Sequence, residues 1–473
     1  MPEKQEQIQT QNFQNTLYTG DNLYILNGLN SEIADLIYLD PPFNSKRIYE
    51  APVGTKAHGT SFKDIWHKED IDREYLLEMF EEQPELARFC DTLGKIHDEA
   101  MMSYITYMAQ RVLELHRILK PTGSLYYHCD PTAGHYVKIM LDIIFGKKNF
   151  RNEIIWHYNK WTNSANYFQR NHDLIYFYAK DADKSFFKKQ YGEFSESQKR
   201  NIEKGWDTNS PKSGRQLFIR DKDKFDKAVQ TGEIDLSKYA KIIDRSNITG
   251  TAISDVFDIN YISSSSKERV GYPTQKPLAL LNRIIEASCP EKGVVLDPFC
   301  GCATTCVAAQ KLGRHWIGID IEDKAVDLLI QRLSDGGDDS KDASKTKANK
   351  GMFNDFIATK IVPVRTDLGE EYNIENQPKT REEIKNFLYQ KQEGQVVDGQ
   401  KKCKCKGCGN YYLLKDLEID HIIPRAKHGQ DVIQNFQLLC GNCNRLKSQA
   451  TMEQLKIKLR KIREERLDCE FGE

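Results

Sequence analysis

Two kinds of apolar pattern run through this chain, and each predicts a different element. Short, almost wholly apolar runs such as Leu36-Ile37-Tyr38-Leu39 and Val294-Val295-Leu296 predict strands buried on both faces of a parallel sheet. From Met101 to Lys120, residues Ile105, Met108, Ala109, Val112 and Leu119 recur at three- and four-residue steps, until Pro121-Thr122-Gly123 stops the pattern. That spacing predicts an amphipathic helix leading into a strand at Ser124-Leu125-Tyr126-Tyr127-His128. Strand, helix, strand in this rhythm predicts an α/β fold with a doubly wound, mostly parallel sheet. Such sheets carry their active groups at the carboxyl ends of the strands. There the two apolar runs end in acidic turns, Asp40-Pro41-Pro42-Phe43 and Asp297-Pro298-Phe299-Cys300-Gly301.

The pattern also divides the chain. Residues 1 to about 16 are Gln-rich and read as mobile. The sheet pattern occupies 17–150 and resumes over 266–333, whereas 151–265 mixes aromatics and charges, as in Trp156-His157-Tyr158-Asn159-Lys160-Trp161, and reads as an insertion. Residues 334–351 hold almost no large apolar side chain, cannot bury a core and read as a linker. A connector with helical character follows at 352–399, then a Cys/His-rich module at 400–452 and a charged terminal helix at 453–473. No repeat of fixed period is present.

Bulk properties narrow the class. With 473 residues and 39% apolar content, the chain has length for about three domains. A formal net charge of -1 gives no overall nucleic-acid signature, so any DNA contact must come from local Lys and Arg. No stretch reaches the apolar length that spans a bilayer, and Met1-Pro2-Glu3-Lys4-Gln5-Glu6-Gln7 is polar, so the expectation is a soluble, cytoplasmic protein with no membrane partner. The 12 cysteines are scattered except near the C-terminal end, a pattern that favours a metal site in a reducing compartment over a disulfide scaffold.

The Asp-Pro-Pro-Phe turn, the Asp-Pro-Phe-x-Gly turn and their order resemble the amino-methyltransferases of DNA, in the permuted group where the catalytic motif precedes the cofactor motif; the resemblance covers roughly the first 335 residues. It implies that Asp40 and Pro41 offer a carboxylate and a carbonyl to the hydrogens of a base amino group, and that Phe43, following Pro42, stacks on a base extruded from double-stranded DNA. It also implies an S-adenosylmethionine site. There Asp297 meets the cofactor's amino group, Phe299 and Gly301 shape the turn, and Thr304 opens a helix whose free N–H groups receive a carboxylate. Asp320 then stands where α/β folds hold ribose hydroxyls, while Asp21 and Lys276 flank the cofactor. Cys302 and Ala303 replace the family's usual Ser and Gly. A turn that begins with Asp rather than Ser implies adenine N6 over cytosine N4. Arg170-Asn171-His172-Asp173 matches a segment near the target-base pocket.

In the C-terminal module, Cys405-x-x-Cys408 and Cys440-x-x-Cys443 have the spacing of a structural zinc site, with Cys403 a competing neighbour. Between the pairs, Asp420-His421, Asn435 and Asn444 resemble the His-Asn-His nucleases. The resemblance implies His421 as the base that activates water, Asp420 and Asn444 as ligands of Mg or Mn, and Asn435 as a loop brace. Residues 400–450 carry nine Lys or Arg against four Asp or Glu, an excess suited to a phosphate backbone. The resulting expectation is a DNA adenine-N6 methyltransferase fused to a zinc-stapled ββα-metal nuclease domain, of restriction-modification type. The alternatives are a C-terminal module that only binds DNA, cytosine-N4 specificity, or a substrate other than DNA. Recognition sequence and self-association as a homodimer stay open.

Overall fold

The computed structural model describes residues 15–43, 46–52, 54–67, 73–160, 166–248, 250–334, 356–368, 378, 380–392 and 394–471. The linker beyond Ser334, most of the Gln-rich start and Trp161 lie outside these residues.

A nine-stranded sheet organises the larger part of the chain. In chain order its strands are β1 (Asn15–Thr19), β2 (Ala34–Leu39), β3 (Leu119–Cys129), β4 (Phe150–His157), β5 (His172–Ala179), β6 (Val256–Asp258), β7 (Val294–Asp297), β8 (His315–Asp320) and β9 (Phe356–Thr359). Across the sheet they lie in the order β6-β4-β5-β3-β2-β7-β8-β1-β9. The run β3-β2-β7-β8-β1-β9 is parallel throughout, while β5 pairs antiparallel with both β3 and β4. Leu36, Ile37, Tyr38 and Leu39 are all buried, as a strand covered on both faces requires.

The amphipathic helix runs from Glu99 to Ile118. It starts where the Asp98 side chain accepts a hydrogen bond from Met101 N at 2.7 Å. It ends two residues before its periodicity suggests because Leu119 has already turned extended and pairs with Ala34, so β3 begins before the Pro121-Thr122-Gly123 stop and not after it. A register shift between Ala34 and Leu36 absorbs the extra length.

The chain forms two compact units, residues 187–256 and the remainder. The expected insertion, 151–265, therefore contains β4 and β5 of the large sheet as well as the small unit. Within the small unit, Gln216–Ile219 pairs antiparallel with Trp206–Asn209 and parallel with Lys241–Asp244. Trp206, Leu217, Phe225, Ala228 and Ile234 form its core.

Toward the C-terminal end, β10 (Leu417–His421) pairs antiparallel with β11 (Phe436–Cys440), and the short helix Gly441–Lys447 follows directly. This is a ββα unit with its own core of Leu417, Leu438, Leu439, Leu455 and cysteine sulfurs. The connector helix, Arg381–Lys391, opens on a capping box of Thr380 and Glu383. Among the described residues no helix is long and apolar enough to cross a membrane.

Candidate active sites

The two acidic turns meet because their strands are neighbours. Val295 pairs with Leu36 and Leu296 with Ile37 in parallel register, so Asp40 and Asp297 leave adjacent strands at the same edge of the sheet. A cleft of 1440 Å³ opens there. Every residue assigned from sequence to methyl transfer or cofactor binding lines it: Asp21, Asp40, Pro41, Pro42, Phe43, Lys276, Asp297, Phe299, Gly301, Thr304 and Asp320.

Asp40 is held on one side only. The Lys276 ammonium donates to its Oδ2, whereas its Oδ1 is buried and accepts nothing. A buried carboxylate oxygen without a donor is costly in a folded protein. Lys276, expected beside the cofactor, lines the cleft and partners the Asp40 carboxylate. Behind the turn stands His128, fully buried, with Nδ1 4.0 Å from Asp40 Oδ1 and 2.8 Å from the Tyr38 hydroxyl. Its Nε2 lies 3.2 Å from Asp173 Oδ2, and its ring stacks on Phe43 with centroids 5.7 Å apart. Burial opposes ionisation of Asp173, but the hydrogen bond and charge of His128 outweigh it and hold that carboxyl below its usual range. His128 was read from sequence only as a strand residue; a histidine inside a run that must be buried on both faces was the available signal.

The cofactor turn is braced from three directions. Asp297 accepts from Phe299 N at 3.0 Å, and burial, reinforced by the charges of Asp40 and Asp320, pushes its carboxyl up to about 7. Asp320 accepts from Gly301 N at 2.7 Å and Glu322 N at 2.9 Å, so its carboxylate ties the turn to β8, and burial pushes it up to about 6. Arg332 donates from Nη1 to Cys302 O and Thr304 Oγ1, each at 2.8 Å. Gly301 has φ +52°, and a side chain there would meet the Tyr272 ring at 3.1 Å. Ala303, where the family has Gly, sits at φ 58° and ψ 32°, in the left-handed region that glycine favours.

At the other side of the cleft Asp21 caps the helix Asn22–Gly28 by accepting from Leu23 N at 2.9 Å, and Arg111 reaches it at 3.2 Å. Asn22 bridges to the cofactor turn through Pro298 O at 2.8 Å and accepts from Arg111 Nε at 2.6 Å. Arg111 and Asn22 were not singled out from sequence; a charge among the apolar positions of the helix, next to Val112, was the sign. Trp156, Tyr158, Lys160, Arg170, His172 and Asp173 line the same cleft from the β4–β5 side.

In the C-terminal module the sulfurs of Cys405, Cys408, Cys440 and Cys443 lie within 4.8 Å of one another, a donor set that can hold zinc tetrahedrally. Cys403 turns away, toward Gln392 O at 3.5 Å. On the opposite end of β10, His421 Nε2 is 2.6 Å from Asp431 Oδ1 and its ring meets Phe436 edge-on. Asn435 fastens the loop, accepting from Ile423 N at 2.8 Å and donating to Ile423 O and Gln430 O at 3.0 and 2.9 Å. Asp420 Oδ2 takes both the buried Lys447 ammonium at 3.0 Å and Gln437 Nε2 at 2.9 Å. Asn444 Nδ2 donates to Glu418 Oε2.

Residues 34–331 match the DNA methylase family N6_N4_Mtase, and residues 405–450 match the HNH endonuclease family. The chain is 25% identical over 339 residues to the type II methyltransferase M.BamHI of Bacillus amyloliquefaciens, covering 71% of this chain and 61% of that protein. It is 24% identical over 301 residues to the type II methyltransferase M.HpaI of Haemophilus parainfluenzae, covering 63% of this chain and 81% of the relative. It is also 24% identical over 320 residues to the DNA adenine methyltransferase YhdJ of Escherichia coli K12, covering 67% and 82%. With the methylase match spanning more than half of its length, this chain belongs to the N6_N4_Mtase family of DNA methylases and carries an HNH endonuclease domain behind it.

Proposed function

We propose that the chain methylates adenine N6 in double-stranded DNA with S-adenosylmethionine and cuts DNA through its C-terminal module, as a single-chain restriction-modification enzyme. The observation that carries the first half is the buried, unpartnered Asp40 Oδ1 beside Phe43. An adenine amino nitrogen is a poor nucleophile because its lone pair is delocalised into the ring. Two acceptors aimed at its hydrogens draw it out of conjugation. Asp40 Oδ1 and the Pro41 carbonyl supply them, while Lys276 fixes the other carboxylate oxygen and so the direction of the first. Phe43, backed by His128, gives the flipped base a stacking face. S-adenosylmethionine supplies the electrophilic methyl carbon. Asp297 would take its ammonium, the N–H groups opening the helix at Thr304 its carboxylate, and Asp21 and Asp320 its nucleoside end. The acidic first residue of the catalytic turn, and an adenine methyltransferase among the relatives, support adenine over cytosine. Residues 151–265 are assigned to reading the target sequence, with Trp156, Tyr158, Lys160 and Arg170 facing the cleft.

For the second half, His421 is the base that takes a proton from water, and Asp431 holds its far nitrogen. Mg or Mn would be held by Asp420 and Asn444 and would stabilise charge on the phosphate. The donor set fits: Asp420 offers the oxygen that Lys447 and Gln437 leave, and Asn444 the carbonyl that its amide nitrogen turns away from Glu418. The competing reading, a zinc-stapled module that only grips DNA, leaves the His421–Asp431 pair and the two open oxygens without a purpose.

The deciding experiment transfers labelled methyl groups to DNA, RNA and protein, then identifies the modified nucleoside. N6-methyldeoxyadenosine in DNA is expected; N4-methyldeoxycytidine, or label in RNA or protein alone, would replace the reading. Incubation of unmethylated DNA with Mg separates nuclease from clamp.

A further inference from the structure

Both proposed metal ligands in the C-terminal module have one polar atom tied down and one oxygen left over. For Asp420 the tie is plain: Lys447 and Gln437 both donate to Oδ2, so Oδ1 is the oxygen that remains. For Asn444 the tie is Glu418, a residue that neither the fold nor the proposed reaction has so far employed.

We infer that Glu418 is a positioning residue for the divalent cation, acting through Asn444. This rests on the reading of the module as a metal-dependent nuclease. Glu418 and Asp420 are two apart on β10 and so share one face of the strand, the face turned toward the Gly441–Lys447 helix that carries Asn444 and Lys447. An amide can rotate by half a turn about its last bond and present either end to a cation, and only the oxygen end can ligate. An ionised carboxylate accepts hydrogen bonds and donates none, so Glu418 selects Nδ2 of Asn444 and turns Oδ1 to the opposite side. The pair thus fixes both the end that the amide presents and the position from which it presents it. Glu418 is itself confined. It faces Leu439 across the hairpin, and a side chain at Gly441 would come within 3.2 Å of its Oε1, so the glycine that opens the helix leaves the carboxylate its room. Partners that orient a ligand commonly govern metal affinity by about 10–100-fold.

The test reads metal binding directly on the full chain, zinc-loaded, by the loss of the free Mn(II) paramagnetic resonance signal during titration. Glu418→Ala should raise the Mn(II) dissociation constant by about 10–100-fold. Glu418→Gln, whose amide can donate as well as accept and so no longer selects one end of Asn444, should bind Mn(II) more weakly than the wild type but no more weakly than Glu418→Ala. Asn444→Ala should weaken binding at least as much as Glu418→Ala, and adding Glu418→Ala to it should do nothing more, because the two act as one unit. Zinc content and methyl transfer serve as folding controls. Should alanine at 418 release the zinc, Glu418→Asp shortens the reach and is expected to show the alanine phenotype. Equal affinity in Glu418→Ala and wild type, or additive losses in the double variant, would overturn the inference. Absence of Mn(II) binding by the wild type would instead remove the underlying metal assignment.

Discussion

The methylase cleft and the HNH module of this chain hold polar groups still with opposite resources. The methylase cleft stands on the parallel part of a wide sheet, where strands such as β2 are buried on both faces, and its turns are braced by long-range contacts such as Lys276 to Asp40 and Asn22 to Pro298. The ββα unit of the HNH module has two five-residue strands and a seven-residue helix around a small core. There, four sulfurs that can close on one zinc supplement that core. Precision in the first region is distributed over distant parts of the chain. In the second it is local, set by residues within about forty positions of one another, a span that matches the smallest stapled folds.

That contrast makes Cys405→Ala the most disruptive change expected. Zinc content by elemental analysis should fall to near zero and the C-terminal module should lose its protease resistance, since structural zinc supplies about 10 kcal/mol or more of folding free energy. Methyl transfer should persist, because its cleft is braced elsewhere. Loss of both activities together would erase the distinction between the regions.

Next in size, His421→Ala should lower DNA cleavage in Mg by about 10²–10⁴-fold while leaving DNA affinity and methylation intact. Equal cleavage rates for variant and wild type, measured on unmethylated DNA, would place the nuclease chemistry on other residues.

A smaller effect sharpens the electrostatic side of the comparison. Asp297 has a folded-state value of about 7 against an ordinary 3.8. A raised carboxyl contributes stability that is complete below the ordinary value and is lost as pH climbs through 7. Cofactor binding should run the other way. The cofactor's ammonium needs the carboxylate, so affinity measured by calorimetry should rise from pH 5.5 toward 7, by up to tenfold per pH unit, and Asp297→Asn should flatten the rise. A flat profile in the wild type would contradict the assignment of Asp297 to the ammonium. Smallest of all, Ala303→Gly removes left-handed strain of about 1–2 kcal/mol but frees the unfolded chain, so melting should move by no more than a few degrees.

How much of this was legible in the sequence follows from the same contrast. The strands ending at Asp40 and Asp297 were readable because burial on both faces leaves an unbroken apolar run, and the turns after them because few residue types fit there. The four cysteines were readable because zinc demands a fixed local spacing. The bracing residues were not. His128, Arg111, Asn22 and Arg332 work through contacts 28 to 276 positions away, and no local pattern encodes such a partner. That the expected insertion contributes strands to the large sheet was not legible for a related reason: β4 and β5 pair antiparallel near the end of the sheet, and β4 mixes apolar with charged residues.

Methyl transfer from the Asp40 cleft is the central claim, and one comparison reaches it most directly. His421→Ala protein and the Asp40→Ala, His421→Ala double variant would be given duplex DNA and labelled S-adenosylmethionine, with nucleosides then separated and counted. The single variant should yield N6-methyldeoxyadenosine, and the double variant at least about 10²-fold less, the usual loss when a placed acceptor or donor is removed, at unchanged cofactor affinity. Comparable methylation by both proteins would show that Asp40 does not carry the reaction.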